Sequence, residues 1–329
     1  MADPLAFDPP LEDIEDEKWL PSVIALAERN GWAERIGEHH HALYLDRAPS
    51  LFVTFERMDE VQEAAPGAEP AGILYARESG WSALTILSER RTWFRDEGIY
   101  DFFDRLIDDG FFDEFDEVVF YGAGPDCGYA ACAFSVAAPG ARVITLAPMA
   151  TGNPRIAGWD TRFMEARRLD FTTRYGFAPE MVEAAEAVCV VHDPEVPVDA
   201  MHAALFVRPN VRQMRMRHFG RSLDIAMHRM SIWSEIVGAF AAGELDDARF
   251  ARLMRARRGD FYYMRGLSRA LQSKGQRTRE ALVLRSLEID HRFFRRRSRV
   301  LREEMDREGD PPLPPPLGSV EAELDAEAS

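Results

Sequence analysis

The sequence predicts an α/β fold, with a mostly parallel sheet and helices on both faces, followed by an all-α C-terminal module. Two observations predict it. Between residues 51 and 217, short apolar runs rich in β-branched and aromatic residues alternate with segments of helical spacing. From residue 225 onward, only helical spacing remains. Alternating strands and helices favour parallel strands, because parallel neighbours need long crossover connections.

The elements follow from these patterns in chain order. Strands are predicted over 51–55, 83–87, 116–121, 142–146, 187–191 and 211–217. Helices are predicted over 21–32, 100–106, 129–138, 200–206, 225–242, 246–257, 260–273 and 278–303. The polar stretch 61–72 contains Pro and Gly and is predicted to be a loop. We place domain boundaries accordingly: a leader and N-terminal helix (1–41), an α/β domain (42–240), a basic helical module (241–307) and a disordered acidic tail (308–329).

The charge is unevenly distributed. The chain has 40 basic and 56 acidic residues and a net charge of −16. Residues 249–307 nevertheless carry 18 basic against 7 acidic residues. An acidic body argues against nucleic acid as a partner, because that role needs a basic surface. We expect the basic module to dock on the acidic body or on a protein partner.

Cysteine content and apolar run length indicate the compartment. Three cysteines cannot build a disulfide framework, so a reducing cytoplasm is the expected location. The longest apolar stretch, 129–138, is too short to span a bilayer.

Three consecutive histidines, His39 to His41, are predicted to lie on the surface. Neighbouring side chains of an extended segment point to opposite faces, so we predict no metal site there.

The most informative segment is the turn at 122–128, where Val-Val-Phe-Tyr is followed by Gly-Ala-Gly-Pro-Asp-Cys-Gly and then by small residues. A strand, a glycine turn and a helix of small residues occur in two kinds of site. In a dinucleotide fingerprint the glycines admit a pyrophosphate, but the spacing here is Gly-x-Gly-x-x-x-Gly and no acidic residue follows the next strand. The other kind of site is a nucleophile elbow. Because the glycine spacing and the missing acidic residue do not fit a dinucleotide site, we expect no nucleotide cofactor, and no other cofactor is predicted.

The chain resembles the α/β-hydrolase superfamily over about residues 51–230. The run Gly-Tyr-Ala-Ala from Gly128, followed by Phe-Ser and then Ala-Pro at 147–148, is similar to a bacterial hydrolase-like group. Active members carry Gly-Ser-Ser-Met-Gly-Gly-Tyr-Ala-Ala. The resemblance implies an α/β-hydrolase-like fold with its nucleophile in the turn. Chains resembling this one are often labelled phosphoadenosine phosphosulfate reductase, but the phosphate loop and the Glu-Cys-Gly cysteine of that enzyme are missing here.

This sequence departs from the hydrolase pattern at the nucleophile. Depending on the direction of counting, the serine position falls on Gly124 or Pro125, and neither can attack a substrate. A further register, Gly-Pro-Asp-Cys-Gly, makes Asp126 a candidate nucleophile. Cys127 is another, since a thiol at a helix N-terminus can have a lowered pKa. Alternatively, Asp126 caps the helix and Cys127 packs as a small apolar residue.

The resemblance also orders the remaining catalytic groups as nucleophile, acid and histidine. Asp193 follows a predicted strand and is the candidate acid, with Asp199 as second choice. His218, at the end of the last strand, is the candidate base. His202 lies at helical spacing from Asp199.

Four positions are candidates for ligand binding. Gly124 and Gly128 belong to the turn, where amides at the start of a helix are unpaired. Arg168 and Arg174 lie in a segment that mixes cations and aromatic rings, which could hold an anion. Ion pairs with acidic neighbours would explain these arginines equally well.

The C-terminal module carries a second resemblance. Residues 263–290, with Leu267, Leu271, Gly275 and Leu282, look like one tetratricopeptide-type helical hairpin. Three hypotheses follow for the whole chain. The leading one is a pseudoenzyme that binds a small-molecule ligand or a protein partner. The others are an active hydrolase or acyltransferase using Asp126 or Cys127 with His218 and Asp193, and a scaffold acting through the helical module.

Overall fold

A computed structural model describes residues 3–285 and 292–310. The chain divides into two compact units, Met1–Ala256 and Arg257–Ser329. The domain boundaries predicted from the sequence stay predictions. Within the described residues, no helix combines the length and apolarity needed to cross a membrane.

The first unit is built on one eight-stranded sheet. Its strands are β1 (Gly31–Ile36), β2 (His40–Leu45), β3 (Ser50–Arg57), β4 (Ser82–Ser88), β5 (Glu117–Ala123), β6 (Arg142–Leu146), β7 (Ala187–His192) and β8 (Val211–Arg215). The spatial order is β1-β2-β4-β3-β5-β6-β7-β8. β2 is antiparallel to β1 and β4, and all other neighbours are parallel. This confirms the predicted α/β class with a mostly parallel sheet.

Helices cover both faces of the sheet. In this unit they are α1 (Asp16–Asn30), α2 (Met58–Ala64), α3 (Ala71–Ser79), α4 (Glu97–Asp108), α5 (Pro125–Phe134), α6 (Pro154–Ala157), α7 (Ala178–Met181), α8 (Pro197–Ala203), α9 (Leu223–Arg229), α10 (Trp233–Ala241) and α11 (Asp247–Leu253). Strand β3 shows why its run is continuously apolar. Phe55 packs on Phe134 of α5, whereas the neighbouring Phe52 packs on Trp233 of α10. Since both faces are buried, alternation with polar residues is absent.

The structure corrects three predictions made from the sequence. The stretch 61–72, predicted to be a loop, contains most of α2 and the start of α3. The helix predicted over 225–242 is interrupted between α9 and α10, where Ser231 has a φ of 55°. The histidines predicted to lie on the surface belong in part to β2, where His40 and His41 are buried. His40 Nε2 bonds Thr92 Oγ1, and His41 Nε2 bonds Glu89 Oε1.

The second unit contains α12 (Phe261–Ser273), α13 (Arg277–Arg285) and α14 (Arg292–Glu308). A fully buried carboxylate ties the three helices together. Glu280 of α13 accepts a hydrogen bond from Ser268 of α12 and two from Arg297 of α14. The predicted hairpin over 263–290 includes α12 and α13 but ends in residues outside the described part. Most of the predicted acidic tail also lies outside it, and both remain predictions.

Candidate functional site

The turn between β5 and α5 is held tightly by its glycines. Gly124 has a φ of +88°, a conformation that favours glycine. A Cβ on Gly122 would lie 2.1 Å from the carbonyl oxygen of Cys127, and one on Gly128 would lie 2.5 Å from Thr145 Oγ1. Strand, turn and helix therefore approach too closely for larger residues. The backbone has the outline of an elbow, and its left-handed residue is Gly124, which has no side chain.

Asp126 lies in the first turn of α5 but does not cap it. Its side chain is fully buried. Arg91 Nε lies 3.1 Å from Oδ2, and a guanidinium nitrogen of Arg57 lies 3.5 Å from the same oxygen. The other oxygen, Oδ1, is buried and has no hydrogen-bond partner in the described structure. One carboxylate is thus shared by two arginines, of which Arg57 ends β3 and Arg91 follows β4.

Two further acids complete this cluster. Arg57 also bonds Asp59 and lies 2.9 Å from Glu60, and Glu60 is 3.4 Å from Arg91. We call Arg57, Asp59, Glu60, Arg91 and Asp126 the Asp126 network. Burial, together with the negative charge of Asp126, raises the pKa of Glu60 to about 7. The network holds the start of α5 against the ends of β3 and β4.

Cys127 has the properties of a packed, unreactive thiol. It is buried, and burial raises its pKa well above the ordinary value, with the charges of Asp126 and Glu60 acting in the same direction. A nucleophilic cysteine needs the opposite shift, because the thiolate is the reactive form. The position of Cys127 at the start of α5 does not reverse this shift, whose largest cause is burial.

The structure brings Asp193 to the turn that contains His218, but not to its imidazole. Asp193 is buried and accepts hydrogen bonds from the amides of Glu195 and Gly220, the second at 2.7 Å. His218 has a φ of 69° and is half-buried. In the described part of the chain, no hydrogen bond or ion pair joins His218 to Asp126, Cys127 or Asp193. Asp193 fixes the backbone of the turn rather than an imidazole.

A second ionic cluster surrounds His202, and we call Asp160, Arg162, Asp199 and His202 the Arg162 network. Arg162 bonds Asp160 at 2.9 Å and Asp199 at 2.5 Å. His202 is fully buried, and its Nε2 lies 3.0 Å from Asp160 Oδ2. Its Nδ1 accepts the amide of Ala150. This requires the proton on Nε2, so the imidazole is neutral, donates to Asp160, and has no nitrogen left to act as a base.

The two acids of this network differ in their partners. Burial favours the neutral form of Asp160, but hydrogen bonds from His202 and Arg162 outweigh it and hold the pKa of Asp160 below its ordinary value. Asp199 has one oxygen on Arg162, and its Oδ2 is buried without a partner in the described structure. One arginine is thus shared by two buried carboxylates.

A cleft of about 300 Å³ opens beside the turn, at the carboxyl ends of β5 and β6. Both networks contribute to its wall, the first through Glu60 and Arg91 and the second through Arg162 and Asp199. A smaller chamber of about 60 Å³ shares Glu60 with this cleft. Ligands of open α/β sheets bind at this edge, outside the carboxyl ends of the strands. The cleft is therefore the candidate functional site.

The predicted ligand-binding residues are only partly at this cleft. Gly124 lines it. Gly128 packs against Thr145, and its amide donates to the carbonyl of Gly124, so that amide is not available to a ligand. Arg174 is exposed and pairs with Asp104 of α4, and Arg168 is exposed. None of Gly128, Arg168 and Arg174 is among the residues that line the cleft.

The cleft arginines are Arg91, Arg162 and Arg221, which sequence reasoning missed. One local signal could have found the first, because Arg91 follows the carboxyl end of β4, where a parallel sheet places its ligands. Arg162 lies in an irregular region without such a signal. Within residues 3–285 and 292–310, no group of three or more His, Cys, Asp or Glu side chains is placed to hold a metal ion.

No protein-family model and no curated protein matches this chain. Solved structures do resemble it. An esterase from Pyrobaculum calidifontis is 13% identical, covers 71% of this chain and 93% of its own, and has a TM-score of 0.44. Carboxyl esterase 2 from the mycorrhizal fungus Tuber melanosporum is 14% identical, with 65% and 84% covered and a TM-score of 0.43. The capsule O-acetyltransferase of Neisseria meningitidis serogroup A is 11% identical, with 59% and 90% covered and a TM-score of 0.38. Similarity at this level carries no conclusion about activity.

Proposed function

We propose that this chain is an α/β-hydrolase-fold protein that binds a small molecule in the cleft and does not hydrolyse esters through a serine. One observation carries the proposal. The turn presents Gly124 and Pro125 where a nucleophile would stand, and the following Asp126 is buried between two arginines. A fold that keeps the turn and the cleft but lacks the attacking group is suited to binding.

The burial of Asp126 supports this proposal against a carboxylate nucleophile. Such a nucleophile must place one oxygen against the carbon it attacks. Asp126 has no exposed surface, and its Oδ2 is engaged by Arg57 and Arg91. The raised pKa of Cys127 supports the same proposal against a thiolate.

Ester hydrolysis tests the proposal directly. We expect the full chain to release p-nitrophenol from p-nitrophenyl acetate and butyrate at the rate of a protein-free blank. Ser222 is the serine to substitute, because it lines the cleft, whereas Ser135 is buried and donates to the carbonyl of Cys132. Hydrolysis that is abolished by Ser222→Ala, and retained in the distant control Ser234→Ala, would overturn the proposal.

An active hydrolase or acyltransferase using Asp126 or Cys127 with His218 and Asp193 is the second candidate. The bond from the Gly220 amide to Asp193 favours it, because it ties the candidate acid to the turn that carries the candidate base. Turnover of an acyl ester that is lost in both Asp126→Asn and His218→Gln would support this candidate. Turnover that survives His218→Gln, or that survives both Asp126→Asn and Cys127→Ala, would exclude it.

Cysteine labelling separates the thiol version of that candidate from the proposal. All three cysteines are free and buried, and burial raises the pKa of each thiol. We expect 5,5′-dithiobis(2-nitrobenzoate) to label none of them in the native chain at pH 7.5 and all three in 6 M guanidinium chloride. Native labelling of one thiol, removed by Cys127→Ala and not by Cys132→Ala, would contradict the assignment of Cys127 as unreactive. A cytoplasmic location and a partner-binding role of the tetratricopeptide-like hairpin complete the proposal.

A further inference from the structure

We propose that the cleft recognises its ligand through a cationic group, a primary ammonium or a guanidinium. The inference rests on the proposed function, since it names the class of molecule that the cleft binds. It differs from one alternative left open by the sequence, in which arginines of the 167–176 segment hold an anion, and neither Arg168 nor Arg174 lines the cleft.

Asp199 supplies the first observation. It lies in the first turn of α8, lines the cleft and is 2% exposed. Arg162 engages Oδ1, but Oδ2 has no hydrogen-bond donor in the described structure. A buried carboxylate oxygen without a donor costs free energy, and a donor from a ligand restores it. An ammonium or guanidinium group supplies both the hydrogen and the charge.

Asp224 supplies the second. It opens α9 and lines both the cleft and the smaller chamber. No hydrogen bond or ion pair joins its carboxyl to another side chain of the described part. Burial raises the pKa of Asp224 above its ordinary value, and only the amides of its own residue and of Ile225 act against this. A cation bound in the cleft would therefore share the cavity with this carboxyl.

The arginines of the wall are already neutralised by acids. Arg162 lies between Asp160 and Asp199, two carboxylates for one guanidinium. In the Asp126 network, two arginines face three acids. Each network therefore carries one more acid than base, and an anion entering between them would meet carboxylates that hold these guanidinium groups.

Arg221 is the cation that could argue for an anion instead. It lines the cleft, is exposed to solvent, and makes no ion pair in the described structure. An exposed arginine at high dielectric attracts an anion weakly compared with a buried charge that lacks a partner. An anionic ligand would therefore sit at the outer edge near Arg221, which makes Arg221→Ala the variant that distinguishes the two cases.

Four probes that each carry a short alkyl chain test the inference on the full chain: butylammonium, butylguanidinium, butanol and butyrate, each titrated by isothermal calorimetry at low ionic strength. We expect both cations to bind, with a Kd lower than that of butanol by about tenfold, the effect of one charge-assisted hydrogen bond. Butyrate should bind no better than butanol. Equal affinity for all four probes, or tighter binding of butyrate that is lost in Arg221→Ala, would overturn the inference.

Two variants locate the binding. Asp199→Asn and Asp224→Asn should each weaken butylammonium binding by about tenfold, because each removes one negative charge from the wall. The matched control is Asp104→Asn, which removes an exposed acid paired with Arg174 outside the cleft and should leave the affinity unchanged. If Asp199→Asn unfolds the chain, Asp224→Asn tests the inference alone, since that carboxyl bonds no other side chain in residues 3–285 and 292–310. If butylammonium binds Asp199→Asn and Asp224→Asn as tightly as it binds the unaltered chain, the inference is contradicted. Ester hydrolysis that depends on a cleft serine would instead contradict the proposed function, and the titrations would still decide the cation preference.

Discussion

The Asp126 network and the Arg162 network both pair buried charged side chains, but the central side chain is a carboxylate in the first and an arginine in the second. In the first, one buried carboxylate is shared by two arginines. In the second, one arginine is shared by two buried carboxylates. Both leave one carboxylate oxygen without a partner, Asp126 Oδ1 and Asp199 Oδ2. Of these two residues only Asp199 lines the cleft, so only its unpartnered oxygen belongs to the cleft wall.

The two networks differ in which partners remain when the central side chain, Asp126 or Arg162, is removed. Without Asp126, Arg57 and Arg91 keep Asp59 and Glu60, whose side chains are half-exposed. Without Arg162, Asp199 keeps no hydrogen-bond or ion-pair partner among the described residues. Because an unpaired buried charge is far more costly than a lost exposed pair, the Arg162 network should be the more fragile of the two.

The largest effect is expected for Arg162→Met, which removes charge while keeping most of the side-chain volume. Two buried carboxylates then lose their cation, and the free energy of unfolding should fall by about 3–5 kcal/mol. Urea unfolding followed by tryptophan fluorescence measures it, because all six tryptophans lie in Met1–Ala256 and report that unit. Arg155→Met, at an exposed position of the same irregular region, is the control and should change stability by less than about 0.5 kcal/mol. Equal effects of the two substitutions would contradict the fragility argued for the Arg162 network.

A smaller effect is expected for Asp126→Asn, about 2 kcal/mol, since both arginines retain an acid. The same unfolding measurement applies. Asp59→Asn is the matched control, because Asp59 binds the same Arg57 but is 52% exposed, and its loss should cost under about 1 kcal/mol. A loss for Asp126→Asn that exceeds the loss for Arg162→Met would invert the comparison between the networks.

The sequence could predict the strands better than the networks. The strands over 51–55, 142–146 and 187–191 are largely apolar because both of their faces are buried, and that pattern is local. The network contacts join residues far apart in the chain. Arg91 and Asp126 are 35 positions apart, and Arg162 and Asp199 are 37. In a chain whose basic residues are nearly all arginine, nothing local marks which of them enter the cleft.

Two strands, β1 and β2, are not predicted from the sequence, because no local apolar pattern marks them. β1 is an edge strand with only Ile36 buried, so its sequence lacks an apolar run. β2 is buried throughout, but it begins with His40 and His41, whose polarity conceals it. Their burial depends on Thr92 and Glu89, about 50 residues further along the chain. The catalytic-type turn could be predicted because its glycines are local requirements, whereas the burial of Asp126 could not.

The pH dependence of the two networks should differ in sign. The pKa of Glu60 is raised to about 7 in the folded chain, so between about pH 4.5 and 7 the folded state binds a proton that the unfolded state has lost. This group therefore lowers the stability as pH rises through that window. The pKa of Asp160 is lowered, so its contribution is present above about pH 4 and is lost as pH falls.

Glu60→Gln sharpens this contrast. Urea midpoints measured from pH 5 to pH 8 should decline less with pH in the variant than in the unaltered chain, because the proton uptake by Glu60 is gone. Asp160→Asn serves as the control and should leave the slope over pH 5 to 8 unchanged, since its titration falls below that range. An unchanged slope in Glu60→Gln would show that another group titrates there.

The smallest effect is expected outside both networks, at Arg174. This residue was a candidate for ligand binding, but its guanidinium pairs with the exposed Asp104 and lies over the rings of Tyr100 and Tyr175. Arg174→Ala should therefore lower the free energy of unfolding by under about 1 kcal/mol, through one exposed ion pair and two cation–π contacts. It should not alter the affinity of the cleft for butylammonium. A loss of affinity in Arg174→Ala comparable to that in Asp224→Asn would place the binding site in the 167–176 segment, because Arg174 does not line the cleft and its ion pair with Asp104 is exposed.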